Sequence, residues 1–310
     1  MPSEPKLMLL DTAAMYFRAF YGVPDTVTAP NGQPVNAVRG LLDAIARLVT
    51  EFEPTHLVAC WDDDWRPQWR VDLIPTYKAH RVAVPVPEGS DIEEVPDLLT
   101  PQVPVIREVL SALDIPIVGK AGYEADDIIG TLASTASSAV DVVTGDRDLF
   151  QLVDDAAGIR VIYTGRGMSR LEILTDAVLV EKYGVSPRQY ADFAALRGDP
   201  SDGLPGVAGI GEKTAAGLLA EHGSLDGIIA AAADPAGSIS ATMRAKIVGA
   251  ADYLKVAPTV VEVVRDMELP AVDSAITPLD AGQLAVFETL TATWGLGESA
   301  KRILKAVGNG

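Results

Sequence analysis

Residues 6–11, KLMLLD, form a short apolar run that ends on an aspartate, and the same pattern recurs in HLVACWD at 56–62 and VDVVTGD at 140–146. A fourth apolar run, IRVIY, follows at 159–163, and helical patterns such as residues 36–52 separate the runs. Short apolar strands that alternate with helices are typical of a domain with helices packed on a mostly parallel sheet. The sequence therefore predicts an α/β fold.

Three of the predicted strands are followed by an acid: Asp11, Asp62 and Asp146. The carboxyl ends of strands in an open parallel sheet share one edge, and ligands bind at that edge. We therefore expect the three carboxylates to converge. The alternative for each one is helix capping, because aspartate commonly caps the helix that follows a strand.

The stretch GYEADDIIGTLA at 122–133 places three more acids in the first turn of a predicted helix over 124–136. The helical period places Glu124 and Asp126 beside the buried stripe, at the strand edge, and turns Asp127 toward solvent. Acids favour a helix N-terminus by only about 0.3–1 kcal/mol each. Because their mutual repulsion opposes that gain, we interpret them as both a helix start and part of a cation site.

Two further acid pairs follow, Asp148 in TGDRDLFQL and Asp199 with Asp202 in RGDPSDGLPG. The chain has a single cysteine and three histidines, so a thiolate or histidine-rich zinc site is not favoured. Carboxylate oxygens favour Mg²⁺ or Mn²⁺. So many acids exceed the needs of one octahedral ion, and the sequence predicts two or more metal ions suited to phosphodiester hydrolysis.

The net charge of −18 argues, taken alone, against nucleic acid as a partner. Acids gathered in one site and bases in another would remove that objection. No apolar run reaches the length of a membrane span, and the N-terminus lacks a signal-peptide pattern, so we expect a cytoplasmic protein. Strand patterns fade after about residue 175, which predicts an α/β half over 1–175 and a helical half over 176–310.

Residues 63–97 fit neither half, because they contain five prolines and a basic first part. The bases Arg70, Lys78 and Arg81 alternate with aromatic residues, a mixture that suits phosphates and unstacked bases. Since Trp61, Trp65 and Trp69 recur every four residues, a packed aromatic stripe on one helix is an equal alternative.

The stretch LPGVAGIGEKTAAGLL at 204–219 nearly matches a phosphate-binding loop, but Glu212 interrupts the pattern and no strand precedes it. Two short helices joined by a glycine hairpin, about residues 199–222, explain it better. Such a hairpin holds a DNA backbone without reading bases. An ordinary helix turn with a glycine C-cap is the alternative. QLAVF at 283–287 looks like a sliding-clamp peptide but fits the buried face of a helix better.

These motifs together resemble the bacterial flap endonuclease/5′–3′ exonuclease family, whose nuclease domain is often fused to DNA polymerase I. The resemblance extends along most of the chain and is carried by the following motifs: Asp11, WD at 61–62, WRVDLIPTYKAHR at 69–81, YEADD at 123–127, TGDRDLFQL at 144–152 and RGDPSDGLPGVAGIGEKTA at 197–215. It implies a PIN-like nuclease fold with a helical arch or clamp over about 63–97 and a helix–three-turn–helix.

The resemblance also implies roles for individual residues. One metal ion would be held by Asp11, Asp62, Glu124 and Asp126 with Asp127 close by, and a second by Asp146, Asp148, Asp199 and Asp202. Lys78 and Arg81 would act at the scissile phosphate. The DNA contacts would comprise Arg70, Tyr77, Lys78, Arg81, Gly206, Gly209, Gly211, Lys213 and Thr214, and in some members a K⁺ ion sits on the hairpin carbonyls.

The implied activity is structure-specific cleavage of DNA at 5′ ends and 5′ flaps in replication and repair. The implied setting is a bacterial monomer near the nucleoid that works alongside DNA polymerase I and ligase. The sequence departs from the family pattern at Thr12 and Gly203, and at Asp63 and Asp64, two acids after Asp62 that would weaken DNA binding or attract another ion. A non-catalytic DNA-junction binder and an RNA-directed PIN-type nuclease are the competing hypotheses.

Overall fold

The computed structural model describes residues 4–86 and 90–309. Its strands, in chain order, are β1 (Lys6–Asp11), β2 (His56–Cys60), β3 (Val82–Val84), β4 (Ile92–Glu93), β5 (Ile117–Val118), β6 (Ala139–Thr144), β7 (Ile159–Tyr163) and β8 (Glu172–Leu174). Its α-helices are α1 (Thr12–Gly22), α2 (Asn36–Phe52), α3 (Gln68–Leu73), α4 (Gln102–Ala112), α5 (Ala125–Thr135), α6 (Asp176–Tyr183), α7 (Tyr190–Arg197), α8 (Glu212–His222), α9 (Leu225–Ala233), α10 (Ala241–Gly249), α11 (Ala251–Val261), α12 (Ala281–Trp294) and α13 (Gly297–Ala306).

The central sheet has the strand order β5-β2-β1-β6-β7-β8. Its neighbouring strands pair in parallel, except that β8 pairs antiparallel with β7. Met8, Leu9 and Leu10 of the central strand are fully buried, because helices cover both faces of a parallel sheet. The predicted α/β fold and the four predicted apolar strands are confirmed.

Helix α2 shows how apolar spacing determines the packing. Leu41, Leu42, Ile45 and Leu48 recur at three- and four-residue spacing and are all buried. The helix ends at Glu53, whose φ of 49° lies in the left-handed region that stops a helix. The helix predicted over 36–52 is confirmed.

After β8 the described chain is helical, as predicted from residue 176 onward. Helices α12 and α13 return to the α/β part and pack on α4 and α2. Phe287, Leu296 and Ile303 are fully buried there, in the same cluster as residues of α2. Phe287 is therefore part of the core, and Leu284 and Leu290 pack against it on the same side of α12, whereas Val286 is 55% exposed. The hydrophobic core crosses residue 175, and the division into two domains there stays a prediction.

The proline-rich segment holds the short helix α3, a 3₁₀ turn at Ala79–Arg81 and the two-stranded antiparallel hairpin β3–β4. Residues 87–89 of the predicted arch lie outside the described part. The alternative of a tryptophan stripe on one helix is wrong, because Trp69 lies in α3 whereas Trp61 and Trp65 precede it. In the parts of the chain that the structure describes, no helix is long and apolar enough to span a bilayer.

Candidate functional site

A cleft of about 1470 Å³ opens at the carboxyl ends of β1, β2 and β6, where the acid-terminated strands were expected to converge. Its lining includes these predicted site residues: Asp11, Asp62, Lys78, Arg81, Glu124, Asp126, Asp146, Asp199 and Gly211. The ends of the strands contribute Asp11, Asp62 and Asp146, and the loop after α7 contributes Asp199. The convergence predicted from the parallel sheet is confirmed.

Asp11 and Asp62 each accept a hydrogen bond from an amide at the start of a helix. Asp11 Oδ1 accepts from the Ala14 amide at 3.1 Å, and its Oδ2 accepts from the Thr144 hydroxyl at 2.6 Å. Asp62 Oδ1 accepts from the Ala125 amide at 2.8 Å, at the start of α5. The capping alternative is therefore correct for Asp11, which caps the helix after its strand while it lines the cleft. It is wrong for Asp62, which bonds to the start of α5 and not to α3, the helix that follows β2.

The first turn of α5 is a capping box between Glu124 and Asp127. Asp127 is 0% exposed, and its two oxygens accept from Arg70 Nη1 and Nη2 at 2.7 Å each. The Val264 amide also donates to Asp127, at 2.9 Å. The expectation that Asp127 points toward solvent is wrong, because the chain after α11 covers this turn of the helix.

Three side chains from residues 70–78 hold Glu124. Arg70 Nη1 donates to Glu124 Oε1 at 3.0 Å, Tyr77 Oη donates to the same oxygen at 2.7 Å, and Lys78 pairs with Oε2. Arg70 is 2% exposed and Tyr77 is also buried. Direct DNA contacts by Arg70 and Tyr77 are therefore not supported, since both side chains point into the protein and fix Glu124.

A second group of acids comes from two places in the chain, the turn after β6 and the start of the glycine hairpin after α7. Asp146 Oδ1 accepts from the Asp148 amide at 2.9 Å, so one turn holds both residues. Asp199 pairs with Arg197 at 3.2 Å, and Asp202 pairs with Arg81 at 3.0 Å. The Lys78 amide also donates to the Asp202 carbonyl at 2.9 Å.

The hydrogen bond from the Lys78 amide to the Asp202 carbonyl joins the proline-rich segment, residues 63–97, to the helical half. Lys78 has a φ of 46°, so the chain turns sharply there. This turn places Lys78 and Arg81 beside both groups of acids.

Burial and mutual repulsion raise the pKa values of several of these acids. Burial raises the pKa of Asp11 to about 7 and that of Asp62 to about 6. Burial, followed by the charges of Asp146 and Asp11, holds the pKa of Asp126 well above its usual value. Burial, followed by the charges of Asp146 and Asp202, does the same for the pKa of Asp148. The acids thus form two groups that share Asp146 as a neighbour.

The donor set fits a hard divalent cation. Asp148 Oδ1 is buried and has no hydrogen-bond partner among the described residues. Buried carboxylates that repel one another are stabilised by a bound cation, and oxygen ligands are those that Mg²⁺ and Mn²⁺ prefer. Within residues 4–86 and 90–309, however, no three Asp, Glu, His or Cys side chains form a ready group that could hold an ion. Asp11, Asp62 and Asp146 instead bond to amides, and Glu124, Asp199 and Asp202 pair with Lys78, Arg197 and Arg81, so these six side chains would have to exchange those partners to hold an ion.

The predicted glycine hairpin joins α7 to α8. Gly206 has a φ of 63°, and a Cβ there would lie 2.5 Å from the Gly198 amide nitrogen. Gly211 is the N-cap of α8 and offers no side-chain cap, so the first amides of this helix are open to an anion. Lys213 is exposed beside them. The glycine hairpin lies within the predicted range of about 199–222, but only the second helix does, because α7 already ends at Arg197.

Sequence reasoning missed several supporting residues. Thr144, Arg197 and Lys246 bond to Asp11, Asp199 and the Gly209 carbonyl, respectively. The threonine in TGD and the arginine in RGD stand two residues before predicted ligands, and that proximity was the available signal. Asp63 is exposed against Gly119, whereas Asp64 is buried and accepts from the Arg66 amide at 3.3 Å. Asp64 therefore caps a turn.

Comparisons with known proteins identify the family of this chain. A model of the 5′–3′ exonuclease N-terminal resolvase-like domain matches residues 6–184, and one of the 5′–3′ exonuclease C-terminal SAM fold matches 185–281. A 5′–3′ exonuclease of Streptomyces coelicolor is 61% identical over 96% of this chain and 98% of its own length. The 5′–3′ exonuclease of Mycobacterium tuberculosis is 50% identical over 97% of each chain.

Solved structures show the same fold. The T5 D15 protein, crystallised with metal ions, superposes with a TM-score of 0.64 at 17% identity and covers 97% of this chain and 99% of its own. The catalytic core of Rad2 in complex with DNA superposes with a TM-score of 0.59 at 18% identity, covering 98% of this chain and 92% of its own. Two family models that together span residues 6–281, and relatives at 50–61% identity over nearly the whole chain, show that the protein belongs to the 5′–3′ exonuclease family.

Proposed function

We propose that this protein is a divalent-metal-dependent 5′ nuclease that hydrolyses DNA phosphodiesters at 5′ ends and 5′ flaps. The observation that carries the proposal is the convergence of acids from three strand ends and from the hairpin start on one cleft, with Lys78 and Arg81 between them. A carboxylate-lined cleft next to a phosphate-binding hairpin suits cleavage of a phosphodiester held by its backbone.

Each of the two groups of acids would hold one metal ion. Asp11, Asp62, Glu124 and Asp126 would hold one ion, and Asp146, Asp148, Asp199 and Asp202 a second. When bound, Mg²⁺ or Mn²⁺ supplies Lewis-acid activation of the attacking water and stabilises charge on the phosphate. In this arrangement Asp127 stays outside the ligand set, because Arg70 already binds both of its oxygens.

Lys78 and Arg81 would neutralise the phosphate at the cleft. Burial lowers the pKa of Lys78, but the negative charges around it, that of Glu124 first, together outweigh burial and hold this pKa well above its usual value, so the lysine stays cationic. Arg81 donates to Asp202 at 3.0 Å and keeps a third of its side chain exposed toward the cleft. When a phosphate enters, both cations can exchange a carboxylate for a phosphate oxygen without moving to another part of the protein.

The relatives also support a proposal about where in the cell this protein acts and with which other proteins. A stretch of the M. tuberculosis protein named DNA polymerase I is 42% identical to 79% of this chain. We infer that this protein acts as a monomer on nucleoid DNA in the bacterial cytoplasm, alongside a DNA polymerase I and a ligase. A K⁺ ion on the hairpin carbonyls would compete with Lys246, whose Nζ donates to the Gly209 carbonyl at 3.0 Å.

The test is a substitution that removes one ligand but keeps its shape. Asp148→Asn is expected to abolish cleavage of a 5′-flap DNA in Mg²⁺ or Mn²⁺ and to leave flap binding within about twofold, since a buried, repelled carboxylate is exchanged for a neutral isostere. Asp155→Asn, at an exposed turn, is the matched control and should cleave at the wild-type rate. Undiminished turnover in Asp148→Asn would overturn the second metal position.

The same assay separates the competing functions. A junction-binding protein without catalysis would bind the wild-type flap and leave it intact with either metal, with EDTA as the blank. An RNA-directed nuclease would cleave a matched RNA flap faster than the DNA flap. Equal or faster cleavage of DNA, lost on addition of EDTA, supports the proposal.

A further inference from the structure

Lys246 extends from α10 to the tip of the glycine hairpin. Its Nζ donates to the Gly209 carbonyl oxygen at 3.0 Å. A Cβ placed on Gly209 would lie 2.6 Å from that nitrogen, and Gly209 has a φ of 74°. Glycine at this position therefore serves two purposes, since it permits the left-handed turn and leaves room for the ammonium group.

The Lys246 ammonium differs in its bonding from the cations of the cleft. Lys78, Arg81 and Arg197 each pair with a carboxylate. Lys246 bonds a neutral carbonyl, and no carboxylate of the described residues forms a salt bridge with it. An ammonium has three N–H donors, so two stay available after the bond to Gly209. In a protein with a net charge of −18, this is a positive charge left uncompensated and held in place.

The surroundings of Lys246 suit a phosphate. Ala208, Gly209 and Gly211 are small and exposed, so a sugar–phosphate backbone can approach the hairpin closely. The N-terminus of α8 starts at Glu212, and its first amides have no side-chain cap. Exposed Lys213 lies in the same helical turn. A helix N-terminus and a fixed ammonium thus flank one hairpin.

We propose that Lys246 is a DNA-backbone contact and the built-in cation of this hairpin: it holds the Gly209 carbonyl and donates its two other N–H groups to a phosphate of the duplex. The inference rests on the proposed DNA-directed function. A consequence is that duplex binding needs no K⁺ at the Gly209 carbonyl, because the ammonium already occupies it.

The experiment measures binding of a fluorescent 5′-flap DNA by anisotropy in EDTA, across a KCl series. In a plot of log K against log salt concentration, one phosphate contact makes the negative slope steeper by about 0.9. The gain in affinity from that contact is therefore about eightfold larger at 0.1 M than at 1 M KCl. Lys246→Met is expected to make the slope shallower by about 0.9. Lys246→Arg should keep it, and Lys255→Met, an exposed lysine of α11, is the matched control.

Each outcome decides the inference. A slope for Lys246→Met equal to that of Lys255→Met would overturn it, even if the melting temperature falls, because a purely structural lysine changes stability alone. Weaker wild-type binding when tetramethylammonium replaces K⁺ at equal concentration would also overturn the built-in cation. If the wild-type protein does not bind the flap at all, the proposed function fails, and this inference with it.

Discussion

The hydrogen bonds and ion pairs of Arg70 predict a large contribution of this residue to the free energy of unfolding. Its guanidinium donates to Asp127 at 2.7 Å twice, to Glu124 at 3.0 Å and to the Val260 carbonyl at 3.1 Å. All three charged side chains are at most 3% exposed. Removing one partner of a buried ion pair costs about 3–5 kcal/mol, because the other charge stays desolvated.

Arg70→Met is expected to destabilise the protein mainly because it leaves the charge of Asp127 buried without its ion-pair partner. Glu124 keeps Tyr77 and Lys78 as partners. Asp127 keeps two amide donors, Glu124 N at 3.2 Å and Val264 N at 2.9 Å, but loses its only counter-charge among the described residues. We therefore expect the free energy of unfolding to fall by about 3–5 kcal/mol. Adding Asp127→Asn should restore about 1–3 kcal/mol, since the amide keeps an acceptor oxygen without the buried charge.

The assay is equilibrium urea unfolding, followed by circular dichroism and tryptophan fluorescence. Arg47→Met is the matched control, because Arg47 pairs with Glu51 at 3.0 Å on an exposed face of α2. Exposed pairs of this kind contribute about 0.3–0.5 kcal/mol. A loss below about 1 kcal/mol for Arg70→Met, or no recovery in the double variant, would refute the reasoning about the buried network.

Two further predictions concern pH and backbone strain. Because the folded pKa values of Asp11, about 7, and Asp62, about 6, lie above the unfolded value of 3.8, the metal-free protein is stabilised at acid pH and loses that stability as pH rises to about 7. Mg²⁺ must displace those protons, so the rise in melting temperature that it causes should be larger at pH 8 than at pH 5.5; an equal rise at both would argue against these ligands. Gly206→Ala should lower the free energy of unfolding by about 1–3 kcal/mol and weaken flap binding, since its Cβ would meet Gly198 at 2.5 Å. Gly217→Ala, in open space on α8, should instead stabilise by about 0.5–1 kcal/mol in the same melts, and the reverse order would contradict the strain argument.

The fold class and the position of the cleft could be predicted because they depend on local periodicity. The apolar run at 6–11 and the helix at 36–52 each bury one continuous set of side chains, and such patterns are visible in the sequence. Asp11 is the last residue of its strand, and Asp62 and Asp146 follow theirs within two residues, so a parallel sheet brings all three to one edge. The glycine hairpin was predictable for the same reason, since Gly206 and Gly209 mark left-handed turns.

The roles of the basic residues could not be predicted in this way. Arg70 looked like a surface cation in a proline-rich segment, but the C-terminal end of α11 covers it, and the carbonyls of Val260 and Glu262 accept hydrogen bonds from its guanidinium. Asp127 was expected to face solvent because the helical period alone does not reveal which distant segment packs on a helix. These contacts join residues more than a hundred positions apart, and no local pattern encodes them.

The sequence alone determined the alternation of strands and helices, the acids at the strand ends and the glycine turns, because each depends on neighbouring residues. Tertiary structure decided which carboxylates face the cleft and which are held by Arg70, Lys78, Arg81 and Arg197. The physical reason is that the state of a buried charge depends on its desolvation and on every charge nearby. Both are set only when distant segments of the chain close around the site.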